Sequence, residues 1–178
     1  MTINGFVGGP KGELDWMTWE WNDKLKNYVT ELTDSIDTIL LGRKMTEGFI
    51  SYWTNVLTKP DDPEYVFAKK MIDTPKVVFT KTLDKSNWKN TTLAKGSLGD
   101  EIKKLKEQDG KDIIVYGGAN FVSNLIKEEL IDEFYLFINH AAIDSGLTIF
   151  GGIKKINFSL IKSIPFDCGI VLLNYKKK

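Results

Sequence analysis

The pattern that most limits the fold is an alternation along the chain. Short apolar runs rich in β-branched and aromatic residues take turns with stretches whose apolar residues recur at helical spacing. Thr38 to Leu41, Lys76 to Thr80, Ile113 to Tyr116 and Glu133 to Asn139 are of the first kind. Leu25, Tyr28, Val29 and Leu32 are of the second, as are Phe121, Val122, Leu125 and Ile126, each set falling on one helical face. Asn22 supplies an N-cap for the first helix. Asp62 followed by Pro63 predicts the N-cap and first position of a helix through Met71, and Ile102 with Leu105 mark a helix beyond Gly99 that stops near Gly110. Strand, helix, strand in this order predicts a three-layer α/β fold, a mostly parallel central sheet with helices on both faces, whose strands are apolar throughout because neither face meets water. The end departs from that rhythm. Phe158 to Ser163 and Gly169 to Tyr175 flank a turn containing Pro165 and Asp167, which predicts a C-terminal antiparallel hairpin at the sheet margin.

No repeat, low-complexity stretch or linker interrupts the pattern, so residues 1–178 are expected to form a single domain. Nowhere is there a run of about 18 apolar residues, so no membrane span is expected. The glycine-bearing start, with Gly5, Gly8, Gly9 and Gly12, lacks the basic patch and apolar run of a secretory signal, and the expected location is the cytoplasm. Lysine plus arginine equals aspartate plus glutamate at 24 each, which removes the cationic surplus that nucleic-acid binding rests on. Lys176, Lys177 and Lys178 read as a solvated tail. With one cysteine, Cys168, and one histidine, His140, the chain can form neither an internal disulfide nor a Cys/His zinc site, and no metal site is expected.

In an open sheet of this type ligands lie outside the carboxyl ends of the strands, so the loops leaving strands carry the chemistry. Three stand out. Gly42-Arg43-Lys44 follows Thr38 to Leu41: glycine admits a phosphate close to the backbone, a helix starting there aims N–H groups at it, and two cations neutralise it. Thr80-Lys81-Thr82 offers hydroxyls and a further cation. Tyr116-Gly117-Gly118-Ala119-Asn120 joins a strand to a helix through paired glycines, the arrangement a pyrophosphate needs to rest on exposed amides. Taken singly, each loop also fits a bland reading, solvated cations or a tight turn. Taken together, Arg43, Lys44 and Lys81 on one edge suit a ligand with a phosphate beyond the pyrophosphate, which favours NADPH over NADH.

Several blocks resemble the dihydrofolate reductase superfamily, in particular the branch that shares the C-terminal reductase domain of the bifunctional riboflavin-biosynthesis protein. They are Thr2-Ile3-Asn4-Gly5-Phe6-Val7, Gly12-Glu13-Leu14-Asp15-Trp16, Leu41-Gly42-Arg43-Lys44-Met45 and Val78-Phe79-Thr80-Lys81-Thr82-Leu83, then Val115-Tyr116-Gly117-Gly118-Ala119, Leu130-Ile131-Asp132-Glu133, and Asp144-Ser145-Gly146 before Ile149-Phe150. In order and spacing they cover nearly the whole chain. The resemblance implies that Gly42, Arg43 and Lys44 hold cofactor phosphates, that Thr80 and Lys81 lie at the adenosine ribose and its 2'-phosphate, and that Gly117, Gly118, Ala119 and Asn120 cradle the pyrophosphate. It implies a mobile lid from Val7 through Trp16 over the nicotinamide, with Val7 counted among the cofactor-binding residues and Trp16 bordering the substrate. It also implies a homodimer.

Four departures from the family pattern matter. Asn4 stands where the branch has Asp, Met45 where it has Thr with Thr46 next door, and His140, expected to be structural, where it often has Pro. The family also has a central strand ahead of its opening motif, whereas this sequence begins inside that motif, so either a start upstream or a sheet without that strand is expected. Reduction of a C=N bond needs a proton as hydride arrives, and Asp15, Glu20 and Asp23 are the acids available, Asp23 being where true dihydrofolate reductases keep a helix carboxylate. Trp16, Trp19 and Trp21 are suited either to stacking a planar heterocycle or to packing the lid. The expected catalytic set is Asp15, Trp16 and Asp23. The expected activity is NADPH-dependent hydride transfer to a C=N or C=O bond of a small pterin- or pyrimidine-like substrate. Two alternatives stand beside it: reduction of a ribosylamino-pyrimidine in riboflavin biosynthesis, and a non-catalytic nucleotide-binding dimer.

Overall fold

The run Ile-Asp-Thr-Ile-Leu-Leu-Gly forms strand β1 (Ile36–Gly42), in which Ile36, Ile39, Leu40 and Leu41 are buried. Both its edges are taken. β2 (Lys76–Phe79) pairs parallel on one side and β4 (Asp112–Gly117) parallel on the other, and β3 (Thr91–Ala94) adds to β2, giving the order β3-β2-β1-β4. The computed structural model describes residues 1–178, and the chain divides into two units, one made of residues 30–121 and the other of residues 1–29 with 122–178.

The parallel sheet lies wholly in the first unit, with α2 (Arg43–Val56), α3 (Tyr65–Asp73) and α4 (Leu98–Lys106). Its core joins Ile36, Ile39 and Leu41 of β1 to Val78 of β2, Phe49 of α2 and Met71 of α3. Lys76, at the start of β2, is only 1% exposed. Its ammonium donates to the carbonyls of Met71, Ile72 and Thr74 at 3.0, 2.7 and 2.7 Å, satisfying the last carbonyls of α3 that have no partner within the helix.

Local starts differ in places from the sequence expectations. Asp62 does not cap α3: its side chain accepts from the Glu64 amide at 2.9 Å and its carbonyl from the Tyr65 amide, forming a turn, so the helix begins at Tyr65 rather than Pro63. α4 begins at Leu98 because Ser97 accepts from the Asp100 amide at 3.3 Å as its N-cap, which places Gly99 inside the first turn. β3 was not expected, its four residues being too few to stand out from the surrounding loop. Asn22 does cap α1 (Asp23–Asp34), its side-chain oxygen accepting from the Leu25 amide at 2.9 Å.

In the other unit β5 (Glu133–Ile138), β7 (Val171–Lys177) and β6 (Phe158–Pro165) form a three-stranded antiparallel sheet in the order β5-β7-β6. The hairpin expected at the C-terminus is β6-β7, with a turn closed by bonds between Phe166 and Ile170 and by Gly169 at φ +86°. β5 follows α5 (Ala119–Lys127) as the rhythm requires, but it pairs antiparallel with β7 instead of joining the parallel strands. A strand's apolar residues set that it is buried, not which neighbour it takes. Leu25, Phe166, Ile170 and Leu172 form this unit's core, with Trp21, Tyr28 and Phe137 packed around them. No helix is long and apolar enough to cross a membrane.

Candidate functional site

From β1 the chain steps to β2 and then β3 on one side, while β4 lies on the other, so the strand order reverses between β1 and β4, and open sheets of this kind take their ligands outside the carboxyl ends at such a point. Gly42 closes β1 there and Gly117 closes β4. Leu41 pairs with Gly117, and a Cβ on Gly42 would stand 3.2 Å from the Gly118 nitrogen and 3.0 Å from Phe121 Cβ. Gly117 has φ +133°, and a Cβ on it would meet Met45 Sδ at 3.0 Å. A side chain would be crowded at Gly42 and would strain the backbone at Gly117, and the two glycines leave a floor of bare backbone. The Gly117-Gly118 peptide is cis.

α2 starts on this floor. Its N-cap is Gly42, which has no side chain to offer, and no acidic residue stands in its first turn, so its leading amides remain open to an anion. α4 is the contrast: Ser97 caps it and Asp100 and Glu101 fill its first turn. Arg43 and Lys44 are exposed and neither is in an ion pair. Glu47, one turn on, is the natural partner for both at i+3 and i+4. Its carboxylate is engaged instead by Trp88 Nε1 at 2.9 Å and by the Ser51 hydroxyl at 3.4 Å.

Phe79 pairs with Gly42, which brings the end of β2 beside the end of β1. Thr80 is buried, its amide donating to Ala94 and its hydroxyl oxygen accepting from the amides of Thr82 and Leu83 at 3.1 and 3.2 Å. That turn leaves Lys81 exposed and unpaired. Gly42, Arg43, Lys44, Thr80, Lys81, Gly117 and Gly118 therefore share one rim, where Ala119 and Asn120 open α5. Thr46 does not supply the hydroxyl missing at Met45: it is fully buried and donates to the Gly42 carbonyl at 3.2 Å. The end of β3 adds Lys95, Gly96 and Ser97 to the same rim, residues the sequence reading missed. The β-branched pair Thr91-Thr92 and the Ser97-to-Asp100 capping spacing were the available signals.

The remaining candidates lie in the other unit. The Val7 amide donates to the Leu147 carbonyl at 2.7 Å and Leu147 returns a bond to Gly8 at 2.8 Å, so the segment expected to be a lid is pinned at its start. Asp15 is exposed and bonded to nothing. Trp16 is half-buried, its indole N–H donating to the Glu13 carbonyl at 3.2 Å. Asp23 is exposed in the first turn of α1, where the helix dipole favours a carboxylate, and it has no side-chain partner. Trp21 belongs to the core while Trp19 is 62% exposed, which leaves Trp19 rather than Trp21 free to stack. The Asn4 amide donates to the Ile143 carbonyl at 2.7 Å and its oxygen accepts from the Ile143 amide at 3.4 Å, a pairing an aspartate could not complete. His140 is exposed beyond the end of β5, its ring against Gly169, rather than embedded in the core. A hollow of about 370 Å³ lined by Phe134, Leu136, Phe150, Ile153, Phe158 and Tyr175 offers no polar group but one phenol. No cluster of three or more metal-ligating side chains is present.

A family model for the RibD C-terminal domain matches residues 1–172. The chain belongs to the RibD C-terminal domain family. A relative in Bacillus subtilis (strain 168), the uncharacterized protein YyaP, is 31% identical to this RibD C-terminal domain over 178 residues, 98% of this chain and 90% of its own length. Uncharacterized protein YwjB of the same strain is 26% identical over 150 residues, 84% of this chain and 78% of its own. Among solved structures, a putative riboflavin biosynthesis protein from Shewanella sp. PV-4 superposes with a TM-score of 0.75 at 22% identity, covering 100% of this chain and 95% of that one. The deaminase/5-amino-6-(5-phosphoribosylamino)uracil reductase of Thermotoga maritima gives 0.69 at 18% identity, covering 99% of this chain and 54% of that one. A dihydrofolate reductase of Enterococcus faecalis, complexed with NADP(H), gives 0.63 at 17% identity, covering 100% and 92%. At these identities the structural likenesses establish a dihydrofolate-reductase-like fold for this RibD C-terminal domain.

Proposed function

We propose that the protein is an NADPH-dependent reductase acting on a C=N or C=O bond of a small pterin- or pyrimidine-like substrate, and that residues 1–178 act as one domain, as a homodimer in the cytoplasm. The observation that carries the reading is the rim at the carboxyl ends of β1 and β4: two glycines at which a Cβ would be crowded or strained, an uncapped helix N-terminus and three cations without ion pairs. Those features fit a pyrophosphate and one further phosphate. Gly117 to Asn120 and the first amides of α2 would hold the pyrophosphate, and Arg43, Lys44 and Lys81 would neutralise the remaining charge. Bound there, NADPH supplies the hydride; the chain contributes binding and orientation. Val7, Asp15, Trp16 and Asp23 remain the candidates for the nicotinamide and substrate side, Asp15 and Asp23 as proton sources.

Membership of the RibD C-terminal domain family and the names of the Shewanella and Thermotoga proteins favour, as a second reading, reduction of a ribosylamino-pyrimidine to its ribityl form. Titration with NADPH and NADH, followed by tryptophan fluorescence, tests the cofactor. Saturable quenching by NADPH with affinity at least about tenfold above NADH is expected, since a charged phosphate contact is worth about 1.5–3 kcal/mol. Equal affinities overturn the assignment. Loss of absorbance at 340 nm with a panel of pterins and pyrimidine ribosides then separates the two substrates, and binding without oxidation across the panel identifies a nucleotide-binding protein without turnover.

A further inference from the structure

Asn139 directly follows β5, in the unit of residues 1–29 with 122–178, and is only 2% exposed. Its side-chain oxygen accepts from the Thr18 N–H at 3.0 Å, and its own backbone N–H donates to the Met1 carbonyl at 2.8 Å. The amide group has one orientation open to it. Turned over, it would set an NH2 against the Thr18 N–H and leave both donors without an acceptor. Thr18 is held from its other side as well, its carbonyl accepting from Trp21 Nε1 at 2.9 Å, and Trp21 packs in the core of this unit. The side-chain nitrogen of Asn139 is therefore aimed by its oxygen, and it donates to no atom of the chain. The Tyr116 hydroxyl is the only side-chain atom both sealed from solvent and without a partner, so solvent still reaches that nitrogen. A donor this buried, fixed and unspent has lost most of its hydration with no bond in return, which favours a ligand that brings an acceptor. Trp19, the residue after Thr18, is 62% exposed, and an indole face suits a planar ring.

Resting on the reductase reading, we infer that Asn139 is a specificity-determining residue whose side-chain nitrogen donates to a ring carbonyl of the substrate heterocycle, while its oxygen holds in place the segment that carries Trp19. An oxo-substituted ring edge meets this donor. An amino-substituted edge sets donor against donor and leaves the Asn139 nitrogen desolvated and unpaired. The residue thus selects oxo-substituted pyrimidine and pteridine rings over amino-substituted rings of the same shape, and the bond left unmade by the wrong ring contributes as much as the bond made by the right one.

The probes are lumazine, which carries oxo groups on its pyrimidine ring, and 2,4-diaminopteridine, the same bicycle with amino groups in their place. Calorimetric titration of the full chain, with and without saturating NADPH, gives the ratio of the two affinities. That ratio cancels any loss of folded protein and any loosening of the Trp19 segment, both of which weaken the two probes alike. Wild type is expected to bind lumazine about tenfold more tightly than the diamino compound, and Asn139→Ala to bring the ratio to about one. Asn139→Asp keeps an acceptor for Thr18 and replaces the donor by a second acceptor. It is expected to invert the ratio at about pH 8.5, where a carboxylate accepting the Thr18 N–H is ionised. A wild-type ratio near one, a ratio that neither substitution moves, or wild type that takes neither probe overturns the assignment. The NADPH titration decides the cofactor reading separately: wild type that keeps the lumazine preference but binds no NADPH overturns the reductase reading and supports ring recognition by Asn139. Far-ultraviolet circular dichroism shows that each variant is folded, and Asn139→Ala decides the matter where Asn139→Asp does not fold.

Discussion

Lys76 is the residue whose chemistry is most at odds with its surroundings. Its pKa is lowered from 10.5 to about 8, chiefly by burial, with Asp73 opposing the fall and Lys89 adding to it. Because the folded value lies below the unfolded one, the unfolded chain binds more protons between about pH 8 and 10.5, so this residue's contribution to stability rises with pH across that window. Urea denaturation of the wild type against Lys76→Met should show this rise in the wild type and its absence in the variant. At pH 7 Lys76→Met is expected to cost about 1–3 kcal/mol, because three carbonyls at the end of α3 lose their donor. Asn4 illustrates the opposite economy. Asn4→Asp keeps the acceptor and removes the donor to Ile143, so a loss of about 1 kcal/mol is expected in the same assay.

The strand ends and the helix that starts on them act as a set. Gly42→Ala drives a methyl group against Phe121 and the Gly118 nitrogen. It should destabilise the fold by about 1–3 kcal/mol by overpacking and abolish nucleotide quenching, whereas Gly48→Ala, in open space on α2, should do neither. Trp88 holds Glu47 away from the cations of α2. Trp88→Phe frees that carboxylate to pair with Arg43 four residues before it, and NADPH affinity should fall about two- to fivefold with NADH falling alike, because both carry the pyrophosphate. A result confined to NADPH would place Arg43 at the additional phosphate instead.

At the level of the molecule, the proposed function rests on where a parallel sheet reverses its strand order. Residues as far apart as Gly42, Lys81 and Gly117 meet because β2, β1 and β4 are neighbours in that order with their carboxyl ends together. With three unpaired cations on one rim of a chain with no net charge, the proposed nucleotide binding should be sensitive to ionic strength. The apparent Kd for NADPH should rise between low and physiological salt more steeply than that for NADH, which isothermal titration at several salt concentrations measures.

Most element types, and the loops that leave β1, β2 and β4 at one rim, could be read from residue order, because they depend on local chemistry: apolar period, an Asn or Ser able to cap, glycine where backbone must be bare. What residue order left open were relations between distant segments. Nothing local says that β5 prefers β7, that Thr91 to Ala94 completes the parallel sheet, that Glu47 is drawn off its cations by Trp88, or that Thr46 turns its hydroxyl inward. Each of these is a choice among partners made by packing and hydrogen-bond geometry, and a one-dimensional pattern carries the demand for a partner without naming which partner meets it.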